Sequence, residues 1–576
     1  MAVIKKKIVV FHIIAIINLC ENTQAFFGDI VNTNSGLVKG KLNKFEGFYY
    51  YSFEGIPYAE NTAGENRFKP PIPKKSWSHI LDATRNGPVC PQMEMKYKRN
   101  QMNEDCLSLN IYVPANITKP LPIFVFIHGG SHFMSSGNTD LMYGPQYLLQ
   151  KDIIFVTMNY RLHAFGFLSL NTEDACGNSA LKDVILSLQW IKQNLKYFGG
   201  DTSRITVGGQ SSGATLTNLL TLSTNTNGLF QQAVLLSGFA FSPRGIIRHP
   251  EDKAFVLGKI LGIKGYDTTT LLNRLRKMNA FEITDAFEQM YKTNDNILAP
   301  YSAFIPSIDK MCAQPSVEDV PAKILENRIP QVPILIGHNS NEGAFMMKTI
   351  FNHLKELEKL KRDLERLIPT DIQYPPGSKK AKELAKAITY FYFGKTNIAG
   401  DEFCLMCLID YITDISYGVY SNDAWIRKYK KQSNSKNLYL HEFDFDGMLN
   451  WAKITYGLNT TGAIHADELG YIFRTKSTKP FLNNIDSRSK KMLVTMTDFL
   501  TDFVKYGNPT PPHRNNDIIW PEFGKEGNFL TINDNLRVMR RGTTVRMAKF
   551  NFWNKVYEDY FSYVNRGGKI TQKTMQ

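Results

Sequence analysis

Along the first half of the chain, short apolar runs alternate with longer stretches of helical spacing. "LPIFVFIHGG", "DIIFVTMNY" and "SRITVGG" are continuously hydrophobic, the pattern of strands covered on both faces. Between the last two, "SALKDVILSLQWIKQNLKYFG" repeats its apolar residues at helical intervals. Strand, helix and strand in that order form a βαβ unit, which requires a parallel sheet. A helix beginning "SGATLTNLLT" follows, and further strands are expected at "FQQAVLLSG", "VPILIG" and "NLYLHEFDF". The stretch 351–368, "FNHLKELEKLKRDLERLI", is amphipathic and densely charged, as a solvated surface helix is. No internal repeat or long linker interrupts the pattern. These features predict an α/β protein with a large, mostly parallel sheet, flanked by helices and carrying helical insertions. One domain is expected over 26–565, with a polar tail over 566–576.

Composition narrows the setting. With 576 residues, 43% of them hydrophobic and 12% aromatic, the chain has ample core-forming material and is not of the disordered class. Lys5, Lys6 and Lys7 precede an apolar stretch from Ile8 to Leu19, too short to span a bilayer comfortably and matching a signal peptide over 1–25. The small residues Thr23 and Ala25 suit cleavage before Phe26. No later run of ~18 apolar residues appears, so no integral membrane segment is expected and the mature protein reads as secreted. Losing Cys20 with the signal leaves Cys90, Cys106, Cys176, Cys312, Cys404 and Cys407, an even set suited to disulfides in an oxidising compartment. The Cys404-x-x-Cys407 pair lacks a second ligand pair at zinc-finger spacing, and no metal is expected. Three lysines and one glutamate leave with the signal, taking the formal charge from +15 to +13. No nucleic-acid-binding motif accompanies that charge, so it is read as solubility or attraction to anionic surfaces. Asn116-Ile117-Thr118 and Asn459-Thr460-Thr461 are glycosylation acceptors, expected on surface loops.

Within this frame "ITVGGQSSGA", Ile205 to Ala214, stands out. A chain this long offers roughly 0.2 chance matches to Gly-x-Ser-x-Gly, so context decides. A β-branched strand precedes Ser211, Gly209 and Gly213 flank it, and a helix follows at once. That is the setting of a nucleophile held on a tight strand-to-helix turn. Ser212 comes next, where a backbone N–H helps to bind an oxyanion. Upstream, "IHGGSHF" after the strand "PIFVF" offers flexible backbone whose N–H groups can converge on one point. Serine is a weak nucleophile at neutral pH and needs a base, and the base needs an orienting group. The chain order for this arrangement is serine, acid, histidine. Glu342 in "LIGHNSNEGAF" and His465 in "GAIHADELGYIF" supply that order. Eleven histidines give other candidates; His465 is singled out by its glycine-led loop ahead of an apolar helix.

"FEGIPYAE", "NRFKPPIPKKSW", "NEDCLSLNIYVP", "NYRLHAFGFLSL", "FGGDTSRITVGGQSSGA" and "IGHNSNEGAF" together resemble the type-B carboxylesterases, the cholinesterase-like branch of the α/β-hydrolase fold. The resemblance runs from about Gly28 to Tyr560. It implies Ser211 as nucleophile, His465 as general base and acid, Glu342 as orienting carboxylate, and the N–H groups of Gly130, Ser131 and Ser212 as oxyanion hole. It also implies a Cys90–Cys106 disulfide and leaves Cys176, Cys312, Cys404 and Cys407 unassigned. Ser131 and Ser212 depart from the family's usual glycine or alanine, but both act through the backbone. Gln210 replaces the common glutamate, similar to the juvenile hormone esterase subgroup, whereas that subgroup's Asp-Gln pair appears here as Asp183-Val184.

Acetylcholinesterases hold the choline cation on a tryptophan inside the Cys-to-Cys loop. That loop here, "PQMEMKYKRNQMNED", has no tryptophan and several Lys and Arg, which argues against acetylcholine. The sequence therefore predicts a secreted serine carboxylesterase that needs no cofactor and acts on a small-molecule ester: juvenile hormone, a pheromone, a dietary ester or a xenobiotic. Its rivals are a non-catalytic adhesion or signalling relative, which would have lost triad residues, and a lipase or amidase of the same fold.

Overall fold

The apolar runs become the central strands of one large sheet. The structure is a computed structural model that describes residues 28–570, apart from 266, 294–302, 348–353, 395–397, 399–401, 433–434, 515–517 and 568. The expected signal peptide lies outside the described residues, as does the end of the polar tail. The sheet has eleven strands. In spatial order they are Arg537–Arg540, Asn528–Ile532, Leu438–Phe443, Ile334–Asn339, Gln232–Leu236, Gly200–Gln210, Leu121–Ile127, Ile154–Met158, Ser108–Pro114, Phe48–Pro57 and Lys41–Phe45. All pairs from Asn528–Ile532 to Ile154–Met158 are parallel, and the remaining pairs at both edges are antiparallel. A second, three-stranded sheet (Ile30–Thr33, Gly36–Lys39, Ile80–Asp82) stands beside it near the N-terminus.

The continuous hydrophobicity of the central strands has a direct cause. In Leu121–Ile127, Ile123, Val125 and Ile127 enter one core cluster while Phe124 and Phe126 enter another. Successive side chains point to opposite faces, and helices cover both. Leu181, Val184 and Leu188 of helix Ser179–Asn194 pack on the first face, and Met496, Phe499 and Phe503 of helix Ser487–Tyr506 on the second. The expected βαβ unit forms with its two strands parallel but not adjacent, because Leu121–Ile127 lies between them. A buried ion pair fixes this crossover: the Arg161 guanidinium donates twice to Asp183 (2.6 and 2.8 Å), and both side chains are almost wholly buried.

Two stretches differ in detail from expectation. The charged segment 351–368 contains helix Leu354–Arg362, which gives way to a short 3-10 turn, Leu364–Leu367, where the Asp363 carboxylate accepts from the Glu365 N–H. The stretch Phe403–Lys430 is helical and apolar, and most of it is buried inside the fold. It is broken by a π-turn at Ile412–Ser416, and its apolar residues Leu408, Ile412 and Ile415 pack in the core.

Two disulfides tie down the loops over the carboxyl end of the sheet. Cys90 bridges to Cys106, and Cys176 bridges to Cys312 across 136 residues of sequence. Cys404 and Cys407 lie outside both bridges. Asn116 and Asn459 are exposed.

Candidate active site

The strand register places the sequence-predicted residues side by side. Ile127 pairs with Gly209, Gln210 with Leu236, and Leu236 with Gly337. The loops following these strands therefore emerge in one row at the carboxyl edge, where ligands bind in open α/β sheets. Ser211 follows Gln210 immediately and starts helix Ser212–Leu222, with φ 58° and ψ −126°. A non-glycine residue at positive φ is strained, and the surroundings hold it there. A Cβ on Gly209 would lie 2.4 Å from the Gly213 backbone, and one on Gly213 would lie 2.1 Å from the Ile127 carbonyl oxygen. Larger side chains would push the turn open. This close approach is why the glycines bracket the serine.

His465 reaches Ser211 from 254 residues away. Its Nε2 lies 2.9 Å from Ser211 Oγ, and its Nδ1 lies 2.5 Å from Glu342 Oε2. An imidazole that donates from Nδ1 to a carboxylate presents Nε2 as an acceptor for the serine hydroxyl. Glu342 opens a 3-10 turn just past strand Ile334–Asn339 and is fully buried. Its Oε1 accepts from Ser237 Oγ (2.6 Å) and from the Asn339 N–H (2.7 Å). Burial alone would raise this carboxyl, but the His465 partner and these hydrogen bonds outweigh it and hold the group below its ordinary value. The histidine loop is pinned to the glutamate loop as well: Asn341 N–H donates to the Ala463 carbonyl (2.8 Å), and Asn339 Nδ2 donates to the Ile464 carbonyl (2.6 Å). Phe345 and Tyr417 enclose the imidazole, with ring centroids at 5.6 and 4.5 Å.

Other buried histidines do different work. Burial lowers His128 to about 4 and His132, His163 and His441 to about 3, so they stay neutral. His128 stacks on Tyr160 at 4.3 Å and anchors the strand end, while His132 packs edge-on to Phe167.

The "HGGS" loop runs with Gly130 at φ 117° and Ser131 at φ 54°. Among the described residues, no protein acceptor takes the N–H of Gly130, Ser131 or Ser212. All three line the cavity that holds Ser211 and His465, which has a volume of about 430 Å³. Free backbone donors beside a hydroxyl and imidazole can stabilise a tetrahedral oxyanion. A hydroxyl, an imidazole, a carboxylate and converging N–H donors are the groups that acyl transfer uses.

Several contributors have no place in the site expected from the sequence. Ser237 and Asn339 orient Glu342, and Gln210 Nε2 stands 3.3 Å from His465 Nε2. Behind the pair sits a second buried carboxyl, Glu468, which accepts from Asn339 Nδ2 at 2.6 Å. The π-turn adds Thr413, whose hydroxyl accepts from the Gly343 N–H at 2.8 Å. Residue type alone signals none of these, although Ser237 and Asn339 both sit at strand ends.

Comparison with known proteins places the fold within a family. The model of the carboxylesterase family matches residues 28–553. A juvenile hormone esterase from Heliothis virescens is 34% identical over 85% of this chain and 88% of its own length. Venom carboxylesterase-6 from Apis mellifera is 30% identical over 83% and 86%. The crystal structure of juvenile hormone esterase from Manduca sexta, with OTFP covalently attached, superposes with a TM-score of 0.81 at 30% identity, covering 92% of this chain and 99% of that one. With an α/β-hydrolase sheet and a family match over nearly its whole length, the chain belongs to the carboxylesterase family of carboxylic ester hydrolases.

Proposed function

We propose that this protein is a secreted serine carboxylesterase that works through an acyl-enzyme on Ser211, with His465 as general base and acid and Glu342 as its orienting carboxylate. The observation that carries the reading is the continuous hydrogen-bonded line from Ser211 Oγ through the His465 ring to Glu342. Ser211 Oγ attacks the ester carbonyl carbon while His465 Nε2 takes its proton. The carbonyl oxygen becomes an oxyanion facing the N–H groups of Gly130, Ser131 and Ser212, each donor being worth roughly 10²–10³ in rate. The carbon–oxygen bond to the alcohol then breaks, and His465 returns the proton to that oxygen. Water repeats the sequence on the acyl-enzyme, giving the acid and free Ser211. Glu342 holds the imidazole tautomer and stabilises its cationic form.

Secretion is supported by the two disulfides, which persist in oxidising compartments, and by the expected signal peptide over 1–25. The single domain over 26–565 and glycosylation at the exposed Asn116 and Asn459 belong to the same reading. By the resemblance drawn from the sequence, Gln210 favours a juvenile hormone esterase-like site, while Asp183-Val184 departs from that subgroup.

The test is hydrolysis of a short 4-nitrophenyl ester series by the wild type and Ser211→Ala, followed by a juvenile hormone hydrolysis assay. Turnover that vanishes in Ser211→Ala is expected. Full turnover by that variant would overturn the assignment.

A further inference from the structure

The cavity over Ser211 has an unusual wall. Its lining includes Lys96 and Arg244 and, among the described residues, no aspartate or glutamate. Glu342 stands behind the imidazole with no exposed surface, so its charge is turned away from the space a substrate fills. Lys96 is half-buried by surface area, because the cavity itself gives solvent a path to it, yet protein surrounds it closely enough that burial lowers its ammonium to about 8. It therefore remains a cation at neutral pH. Among the described residues it makes no ion pair: its Nζ donates to the Met142 thioether at 3.0 Å and lies 5.4 Å above the Trp451 ring. A thioether is a weak acceptor and a ring face a partial one, whereas buried charges are normally matched by an opposite charge.

The position is built, not incidental. Lys96 lies in the loop closed by the Cys90–Cys106 bridge. On one side, Gln92 clamps Ser135 through two hydrogen bonds of 2.8 and 3.0 Å. On the other, Tyr97 Oη meets Ser136 Oγ at 2.8 Å. Both anchors lie on the segment that continues from Gly130 and Ser131, so the ammonium is held in fixed relation to the oxyanion donors. From Trp451, ring contacts run through Tyr456 and Phe345 to His465. Arg244 adds a second cation to the wall, over the Tyr417 ring at 5.4 Å.

We infer that Lys96 is a specificity residue for esters that carry a carboxylate remote from the scissile bond, the free acid group pairing with its ammonium. This inference rests on the esterase reading above and deepens it. Among the described residues the wall carries only positive charge, which also concentrates such substrates at the cavity mouth.

The experiment compares matched esters with wild type, Lys96→Met and Lys96→Gln. One arm places the charge on the acyl side (4-nitrophenyl hydrogen glutarate against 4-nitrophenyl valerate). The other places it on the alcohol side (6-acetoxyhexanoate against hexyl acetate). The ratio of kcat/KM for charged over neutral ester is expected to fall at least tenfold in both variants in one arm, which locates the carboxylate. Lys96→Arg should restore part of the ratio. If the wild type hydrolyses the neutral esters but neither arm shows a ratio that depends on Lys96, the inference fails alone. If the wild type hydrolyses none of the four, the esterase reading fails with it.

Discussion

Replacing Glu468 by glutamine tests the electrostatics behind His465. Glu468 is 1% exposed, and among the described residues its Oε1 has no hydrogen-bond partner. Burial first, and the nearby Glu342 charge second, push its carboxyl up to about 8 from an ordinary 4.5. Below pH 4.5 the folded and unfolded chains both hold this proton. Between 4.5 and 8 the unfolded chain has released it while the folded chain keeps it, so stability falls by about 1.4 kcal/mol per pH unit. Above 8 both states are ionised and no further loss occurs. The whole interval amounts to about 5 kcal/mol. Glutamine cannot ionise and retains an oxygen for Asn339 Nδ2, so Glu468→Gln should escape the loss. The assay is the thermal midpoint of wild type and variant at one scan rate from pH 5 to 9, since large disulfide-bonded chains often unfold irreversibly. Taken pairwise, the curves cancel titrating groups that do not interact with Glu468. The variant should gain on the wild type by several degrees between pH 5 and 8, at about 1–2 °C per kcal/mol for a chain of this size. Parallel curves across that range would show that the fold does not hold Glu468 neutral, and the reasoning would be wrong.

Glu342→Gln should lower kcat by about 10⁴, the scale for an orienting carboxylate in a serine triad, with KM little changed in steady-state kinetics. Gly130→Ala places a Cβ 2.1 Å from the Met134 carbonyl oxygen at a φ of 117°, so the donor loop must move. A loss of roughly 10²–10³ in kcat is expected, with the thermal midpoint largely kept, because the loop lies at the cavity and not in the core.

Much of this was readable from the chain because the signals are local. A strand, two glycines and an immediate helix describe the turn at Ser211, and continuous apolar runs describe strands covered on both sides. The Cys90–Cys106 bridge came from the resemblance, not from spacing. What stayed hidden depends on how distant segments meet. The Leu121–Ile127 strand sits between the two strands of the βαβ unit, and no periodicity encodes that order. Cys176 and Cys312 are 136 residues apart in the chain, and no local signal pairs them. Ser237 and Asn339 matter because neighbouring strands end in register, and Lys96 becomes informative only when the cavity wall is seen to hold no carboxylate among the described residues. The helix expected after His465 is a short 3-10 turn, Asp467–Tyr471. There the Asp467 carboxylate takes the N–H groups of Ile464, Ala452 and Lys453 and tightens the chain locally.

The central claim is that one serine hydroxyl, made nucleophilic by its neighbours, forms the covalent bond. The most direct measurement is reaction with a fluorophosphonate followed by peptide mass spectrometry. The account predicts a single stoichiometric adduct on the peptide containing Ser211, abolished in His465→Ala. An adduct on another residue, or undiminished labelling in that variant, would contradict it.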